Sequence, residues 1–129
     1  MKIFIEKMAV WYELRYPEYE INTQCVFTPH MKEMSRLLEC SVKELQEKRV
    51  EILKQFTEDY KVTCVLKDAR TVVSNRDKDL YLNMSGNSAM AKAGSGDVLA
   101  GIIAGLLVQN RSCHLASVLG VYLHGRCGD

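Results

Sequence analysis

The chain has 129 residues, 47% hydrophobic and 26% charged, with 17 basic and 16 acidic side chains for a formal net charge of +1. A chain of this length can bury roughly two thirds of the surface its unfolded form exposes, so a core needs neither disulfides nor a structural metal. The balanced charge excludes the basic excess of a nucleic-acid binder or of a protein held on an anionic membrane, leaving small molecules or proteins as partners.

The five cysteines, at positions 25, 40, 64, 113 and 127, form no CxxC pair. Their odd number and wide scatter fit neither a disulfide framework nor a zinc site, and predict free thiols in a reducing, cytoplasmic setting. Charges at Lys2, Glu6 and Lys7 interrupt the first apolar stretch before a signal-peptide core can form. The longest apolar run, residues 98–108, falls short of the roughly 20 residues that cross a membrane. Two prolines and eight glycines exclude low complexity, and the glycines concentrate from Gly86 onward.

In chain order, Ile5, Met8, Val10, Trp11 and Leu14 predict a first helix that Tyr16-Pro17 stops. Cys25-Val26-Phe27 predicts a short strand, closed by Pro29, which has no ladder donor. Two helices follow. Residues 31–39 place Met34, Leu37 and Leu38 on one side. Ser41 and Glu44 then form a capping box ahead of a stripe of Val42, Leu45, Ile52, Leu53 and Phe56 that runs to about residue 59. Val62-Thr63-Cys64-Val65-Leu66 reads as a strand buried on both faces, making strand, two helices and strand a crossover unit. Residues 71–74 and 80–82 predict a hairpin around a charged loop at residues 75–79. A small, polar segment then feeds a helix from Asp97 to about Gln109 and another from Ser112 to about His124.

The chemistry concentrates around Gly94-Ser95-Gly96-Asp97. The two glycines free the backbone to curl at a helix entrance, whose first amides lack intrahelical partners and favour an anion. Asp97 beside those donors suits a general base, or equally a residue that caps or favours the first helical turn. No Lys-Ser or Lys-Thr follows the glycines and GxGxxG is not completed, which excludes a Walker loop and a dinucleotide fingerprint. His30 follows a strand end, where open α/β sheets bind ligands, and reads as a ligand contact or as a plain loop histidine. Residues Lys67, Asp68, Ala69, Arg70 and Thr71 also follow a strand, and offer cations and amides to a phosphate or form a solvated turn. His124 ends its expected helix, where a cation is mildly favoured.

Four separated motifs resemble the C-terminal dehydratase domain of the NAD(P)H-hydrate repair enzymes. They are Thr28-Pro29-His30 with Glu33-Met34 and Leu37-Leu38; Val65-Leu66-Lys67 with Ala69 and Thr71; Gly86-Asn87 with Met90-Ala91 and Gly94-Ser95-Gly96-Asp97-Val98-Leu99; and Tyr122-Leu123-His124-Gly125. The resemblance implies a ribokinase-like α/β three-layer sandwich, of which residues 1–129 form the C-terminal half, with a mainly parallel sheet and a β-hairpin. It implies an ADP-dependent hydro-lyase that phosphorylates the hydroxyl of (S)-NAD(P)H hydrate and eliminates phosphate to restore NAD(P)H.

Carried over by motif, Asp97 is the catalytic base and a substrate contact, and His30 is a substrate contact. Lys67, Asp68, Ala69, Arg70, Thr71 and Gly96 line the nucleotide site, and Gly94, Ser95 and Gly96 form the anion hole. ADP or ATP is the phosphoryl donor and Mg2+ accompanies it, with no ligand set for the metal legible. The partners implied are NAD(P)H hydrate and the nucleotide, with a second copy or the family domain's N-terminal half. Alternatives on the same scaffold are a sugar or vitamin kinase and a non-catalytic nucleotide-binding fragment. Three positions depart from the family's usual residues: Met31-Lys32 replaces Pro-Gly after the histidine, and Asp68 replaces glycine after Lys67, setting a carboxylate beside expected phosphates.

Overall fold

A computed structural model describes residues 25–87, 94–109 and 111–129; the helix expected over residues 5–14 lies outside them. Alternation along the strands builds the architecture. Strand β1 (Val26–Phe27) is followed by helices α1 (Met31–Leu38) and α2 (Val42–Tyr60), strand β2 (Thr63–Leu66), hairpin strands β3 (Val72–Asn75) and β4 (Lys78–Leu82), and helices α3 (Ser95–Leu107) and α4 (Cys113–Gly128). Phe27, Cys64, Leu66 and Val72 point to one face of the sheet, where they meet Met31 and Met34 of α1 and Leu45, Leu53 and Phe56 of α2. Val26, Val65 and Val73 point to the other, against Leu99, Ile103 and Leu107 of α3 and Ala116 and Val121 of α4. The period-two alternation of strands thus yields helix, sheet and helix layers.

The strand order is β1-β2-β3-β4. β1 and β2 are parallel, as the crossover through two helices requires, whereas β2–β3 and β3–β4 are antiparallel. The described strands therefore form a mixed sheet in which the crossover pair carries the parallel part. The hairpin turn is tighter than the five-residue loop expected, because Lys78 and Asp79 belong to β4 and only Arg76 and Asp77 link the strands. Asn75 closes it locally: its Oδ1 accepts from the Asp77 amide at 3.0 Å and its Nδ2 donates to Thr63 Oγ1 at 2.6 Å. The charges of Lys78 and Asp79 thus mark exposed strand positions rather than loop.

Helix entrances follow the side-chain signals. Ser41 Oγ accepts from the Glu44 amide at 3.0 Å, and Ser112 Oγ accepts from the Leu115 amide at 3.1 Å. α2 departs from helical geometry at Lys48 (φ −122°, ψ 24°), in the middle of the apolar stripe read as one regular helix. α4 runs four residues beyond its expected end, to Gly128. All five cysteines are free thiols, and burial pushes the Cys64 and Cys113 thiols up, away from reactivity. Among the described residues no helix is long and apolar enough to cross a membrane.

Candidate active site

The site forms where the ends of β1 and β2 meet the start of α3. The segments leaving the two parallel strands run side by side: the Lys67 amide donates to the Pro29 carbonyl at 2.9 Å, and His30 and Lys67 form an isolated parallel bridge. Two residues separated by a whole crossover are thus neighbours at the carboxyl ends of adjacent strands, the usual ligand edge of an open α/β sheet.

His30 is the N-cap of α1. Its Nδ1 accepts from the Glu33 amide at 3.1 Å, and Glu33 Oε2 accepts from the His30 amide at 3.3 Å, a capping box with imidazole in the place usually taken by a hydroxyl. The ring's Nε2 lies 2.8 Å from Glu33 Oε1, so Nε2 carries the proton and Nδ1 none, while the side chain stays 48% exposed. His30 is therefore more than a plain loop histidine: Glu33 sets both its orientation and its tautomer.

At the start of α3, Gly94 takes the cap position in the left-handed region (φ 88°), and among the described residues no side chain caps the helix. A Cβ at Gly94 would meet nothing within 4 Å, so the glycine answers to backbone conformation and not to crowding. The helix begins two residues earlier than the expected start at Asp97. The amides of Asp97 and Val98 donate to the Gly94 carbonyl at 3.1 Å each, leaving Ser95 and Gly96 as the first-turn amides without intrahelical acceptors. Asp97 is exposed in the first turn. It does not occupy the cap position, so the choice left open by its sequence narrows to dipole stabilisation or chemistry.

His124 connects these two parts. Its Nε2 lies 3.2 Å from Ser95 Oγ, while burial and then the charge of Lys67 hold the imidazole below its ordinary range, against a raising effect of Ser95. It is not a helix-ending cation, because α4 continues past it and its surroundings favour the neutral ring. Sequence reasoning undervalued it; the signal was the Tyr122-Leu123-His124-Gly125 motif.

Residues 67–71 split into different duties. Lys67 is half-buried and its charge acts on His124, whereas Asp68, Ala69 and Arg70 are exposed. Arg70 does not simply add a second cation to the site: its guanidinium donates to the Met84 carbonyl at 3.2 Å and so ties this loop to residues 83–87. Thr71 Oγ1 donates to the Asp68 carbonyl at 3.4 Å, and the Thr71 carbonyl accepts from the Asn83 amide at 2.8 Å. Asp68 turns towards α2, where Arg49 Nη1 lies 3.5 Å from its Oδ2.

The Gly86-Asn87 motif is held from beneath by α4. Ser85 Oγ bonds both Asn83 Oδ1 (2.9 Å) and the Tyr122 carbonyl (3.1 Å). The Gly86 amide donates to Asp129 Oδ1 at 3.0 Å, and Asn87 Nδ2 donates to the Gly128 carbonyl. Gly86 has φ 91°, a conformation that glycine adopts without strain.

His30 and Lys67 at the strand ends, and the Ser95 and Gly96 amides with the Asp97 carboxylate in the first turn of α3, are group types suited to an anionic phosphoryl group. The donors for a metal are different: among the described residues no three His, Cys, Asp or Glu side chains converge on a common point.

A family model for NAD(P)H-hydrate dehydratase matches residues 11–129. The chain belongs to that family. It is 48% identical over 104 residues to a bifunctional NAD(P)H-hydrate repair enzyme of Moorella thermoacetica, covering 81% of this chain and 20% of the relative. Its fold is similar to that of the ADP/ATP-dependent NAD(P)H-hydrate dehydratase of Bacillus subtilis co-crystallised with ATP/Mg2+, with a TM-score of 0.75 and 41% identity, over 80% of this chain and 37% of that one. A ribokinase-like superfamily protein of Enterococcus faecalis gives a TM-score of 0.74 at 28% identity, over 95% and 42% of the two chains. The α/β fold is thus ribokinase-like, and the chain spans well under half the length of these relatives.

Proposed function

We propose that residues 1–129 form part of an ADP-dependent NAD(P)H-hydrate dehydratase domain and carry its phosphoryl-transfer edge. The observation that supports this most is the parallel bridge of His30 to Lys67 at the two strand ends, with Ser95 of the α3 entrance 3.2 Å from His124. Family membership then supplies the chemistry that this edge serves.

In this reading an adenine nucleotide lies along residues 67–71 and Gly96, with its terminal phosphoryl group at the amides of Ser95 and Gly96. Bound ADP, or ATP, would supply the phosphoryl group, and Mg2+ would accompany its phosphates and neutralise their charge. The hydrated NAD(P)H sits towards His30. Asp97 takes the proton of the substrate hydroxyl as its oxygen attacks phosphorus. Amides at the start of α3 stabilise charge on the transferring group, a contribution of about 3–4 kcal/mol for each donor lost in comparable anion holes. With AMP, or ADP from ATP, gone as the leaving group of the transfer, breaking the carbon–oxygen bond of the phosphate ester releases inorganic phosphate, and loss of a proton from the adjacent ring carbon to water forms the ring double bond of the dihydronicotinamide. His30, fixed by Glu33, orients substrate instead of exchanging protons.

Free thiols fit a cytoplasmic setting, and the exposed apolar side chains Val98, Tyr122 and Leu123 fit association with further sequence of the family domain. The decisive assay follows recovery of reduced-nicotinamide absorbance from NAD(P)H hydrate with ADP and Mg2+, using the chain alone and then mixed with the N-terminal half of a family domain. Recovery in either arm, lowered about 10²- to 10⁴-fold in Asp97→Asn, is the expected result. No recovery in both arms refutes the reading, and a stable phosphorylated alcohol as product replaces it with a kinase.

A further inference from the structure

We propose that Arg49 is a positioning residue for the nucleotide loop, holding the Asp68 carboxylate on the α2 side of the sheet, away from the phosphate-binding edge. The inference rests on the nucleotide reading of residues 67–71. Asp68 directly follows Lys67, and an unpaired carboxylate there would repel the anion that Lys67 attracts. Arg49 answers this at two points: Nη1 lies 3.5 Å from Asp68 Oδ2 and donates to the Arg70 carbonyl at 3.0 Å.

The layer arrangement gives those contacts their meaning. α2 packs on the sheet face lined by Cys64 and Leu66, whereas α3, whose first turn offers the free amides, packs on the opposite face against Val65 and Val73. Pairing with Arg49 therefore draws the carboxylate towards the layer that does not contain the anion-binding turn. The two side chains are 25% and 33% exposed, partly shielded from solvent screening. α2 leaves helical geometry at Lys48, immediately before Arg49, where a straight helix was expected. From Arg49 the connection runs on through the Arg70 guanidinium to the Met84 carbonyl, so one α2 side chain anchors both loops at this edge.

The test measures ADP affinity by calorimetry for the full chain and for Arg49→Ala, Arg49→Lys, Asp68→Asn and Arg49→Ala/Asp68→Asn, at low and high salt. Arg49→Ala should weaken ADP about three- to tenfold, less at high salt, and Arg49→Lys should restore most of the loss. The double variant should bind ADP more tightly than Arg49→Ala, because the carboxylate that Arg49 holds away is gone and only its contact with the Arg70 carbonyl is lost. Unchanged affinity in Arg49→Ala, or a double variant as weak as Arg49→Ala, overturns the proposal. Hydrogen exchange of the amides of residues 68–71 judges the positioning independently of nucleotide: it should accelerate at least threefold in Arg49→Ala, and equal protection refutes the role of Arg49. Accelerated exchange in a chain whose parent binds no ADP refutes the nucleotide reading while sustaining the anchor.

Discussion

Substituting alanine for glycine at two helical positions should change stability in opposite directions. In α4, a Cβ at Gly125 would lie 2.9 Å from the carbonyl carbon of Ser85, backbone that cannot swing aside as a side-chain tip can. In α3, a Cβ at Gly101 would meet nothing within 4 Å. Alanine in an open helical position gains about 0.8–1 kcal/mol over glycine. At Gly125 the same gain opposes an overpacking cost of about 1–3 kcal/mol and strain on the hydrogen bond of the Ser85 hydroxyl, worth about 1 kcal/mol. Gly125→Ala should therefore lose about 1–3 kcal/mol while Gly101→Ala gains up to about 1. At about 4 °C per kcal/mol for a domain of this size, the two variants should differ by roughly 4–16 °C in thermal midpoint. Thermal and urea unfolding of both variants beside the parent chain would test this. Equal midpoints would refute the close approach of α4 to residue 85 and, with it, the support of the Gly86-Asn87 loop from that helix.

His30→Ala should cost about 0.5–2 kcal/mol through loss of the α1 cap, and His30→Asn, a good cap, should recover that stability without recovering substrate affinity; joint recovery would reduce His30 to a cap. Stability should fall on acidification between about pH 7 and pH 5. His124, desolvated and under the charge of Lys67, and His114, desolvated and nearer in effect to Lys78 than to Asp79, are both held below their ordinary range. The unfolded chain then binds protons first, so their stabilising contribution is complete above the unfolded value and is lost as pH falls through the folded ones. Denaturation midpoints measured across this range should fall less steeply in His124→Gln, and identical slopes would contradict the assignment.

Layering, the crossover unit and most helix starts were legible because short-range rules decide them: two-residue alternation in Val26-Phe27 and Val65-Leu66, hydroxyl caps at Ser41 and Ser112, and glycine at Gly94. The positions misjudged depend on contacts distant in sequence. Lys78 and Asp79 resemble loop residues by charge, yet pairing with β3 makes them strand. His124 resembled a helix terminus until α4 extended past it to Gly128. Arg49 gave no signal, since nothing local links it to Asp68, 19 positions away. The motif residues His30, Lys67 and Ser95 were found one at a time, and only the strand pairing and the α3–α4 packing bring them together.

The bare entrance of α3 has a consequence for local unfolding. His30, Ser41 and Ser112 each secure the first turn of their helices, whereas α3 begins at glycine and carries Gly96, Gly101 and Gly105 within it. Its first turn should therefore open more readily than the neighbouring elements, with a steep gradient of amide protection from Ser95 towards Ile103. An anion bound there would fasten the turn as it binds, so part of its intrinsic affinity is spent on ordering the helix end. Occupancy would be visible as slowed exchange at the start of α3 well before it altered anything at the sheet.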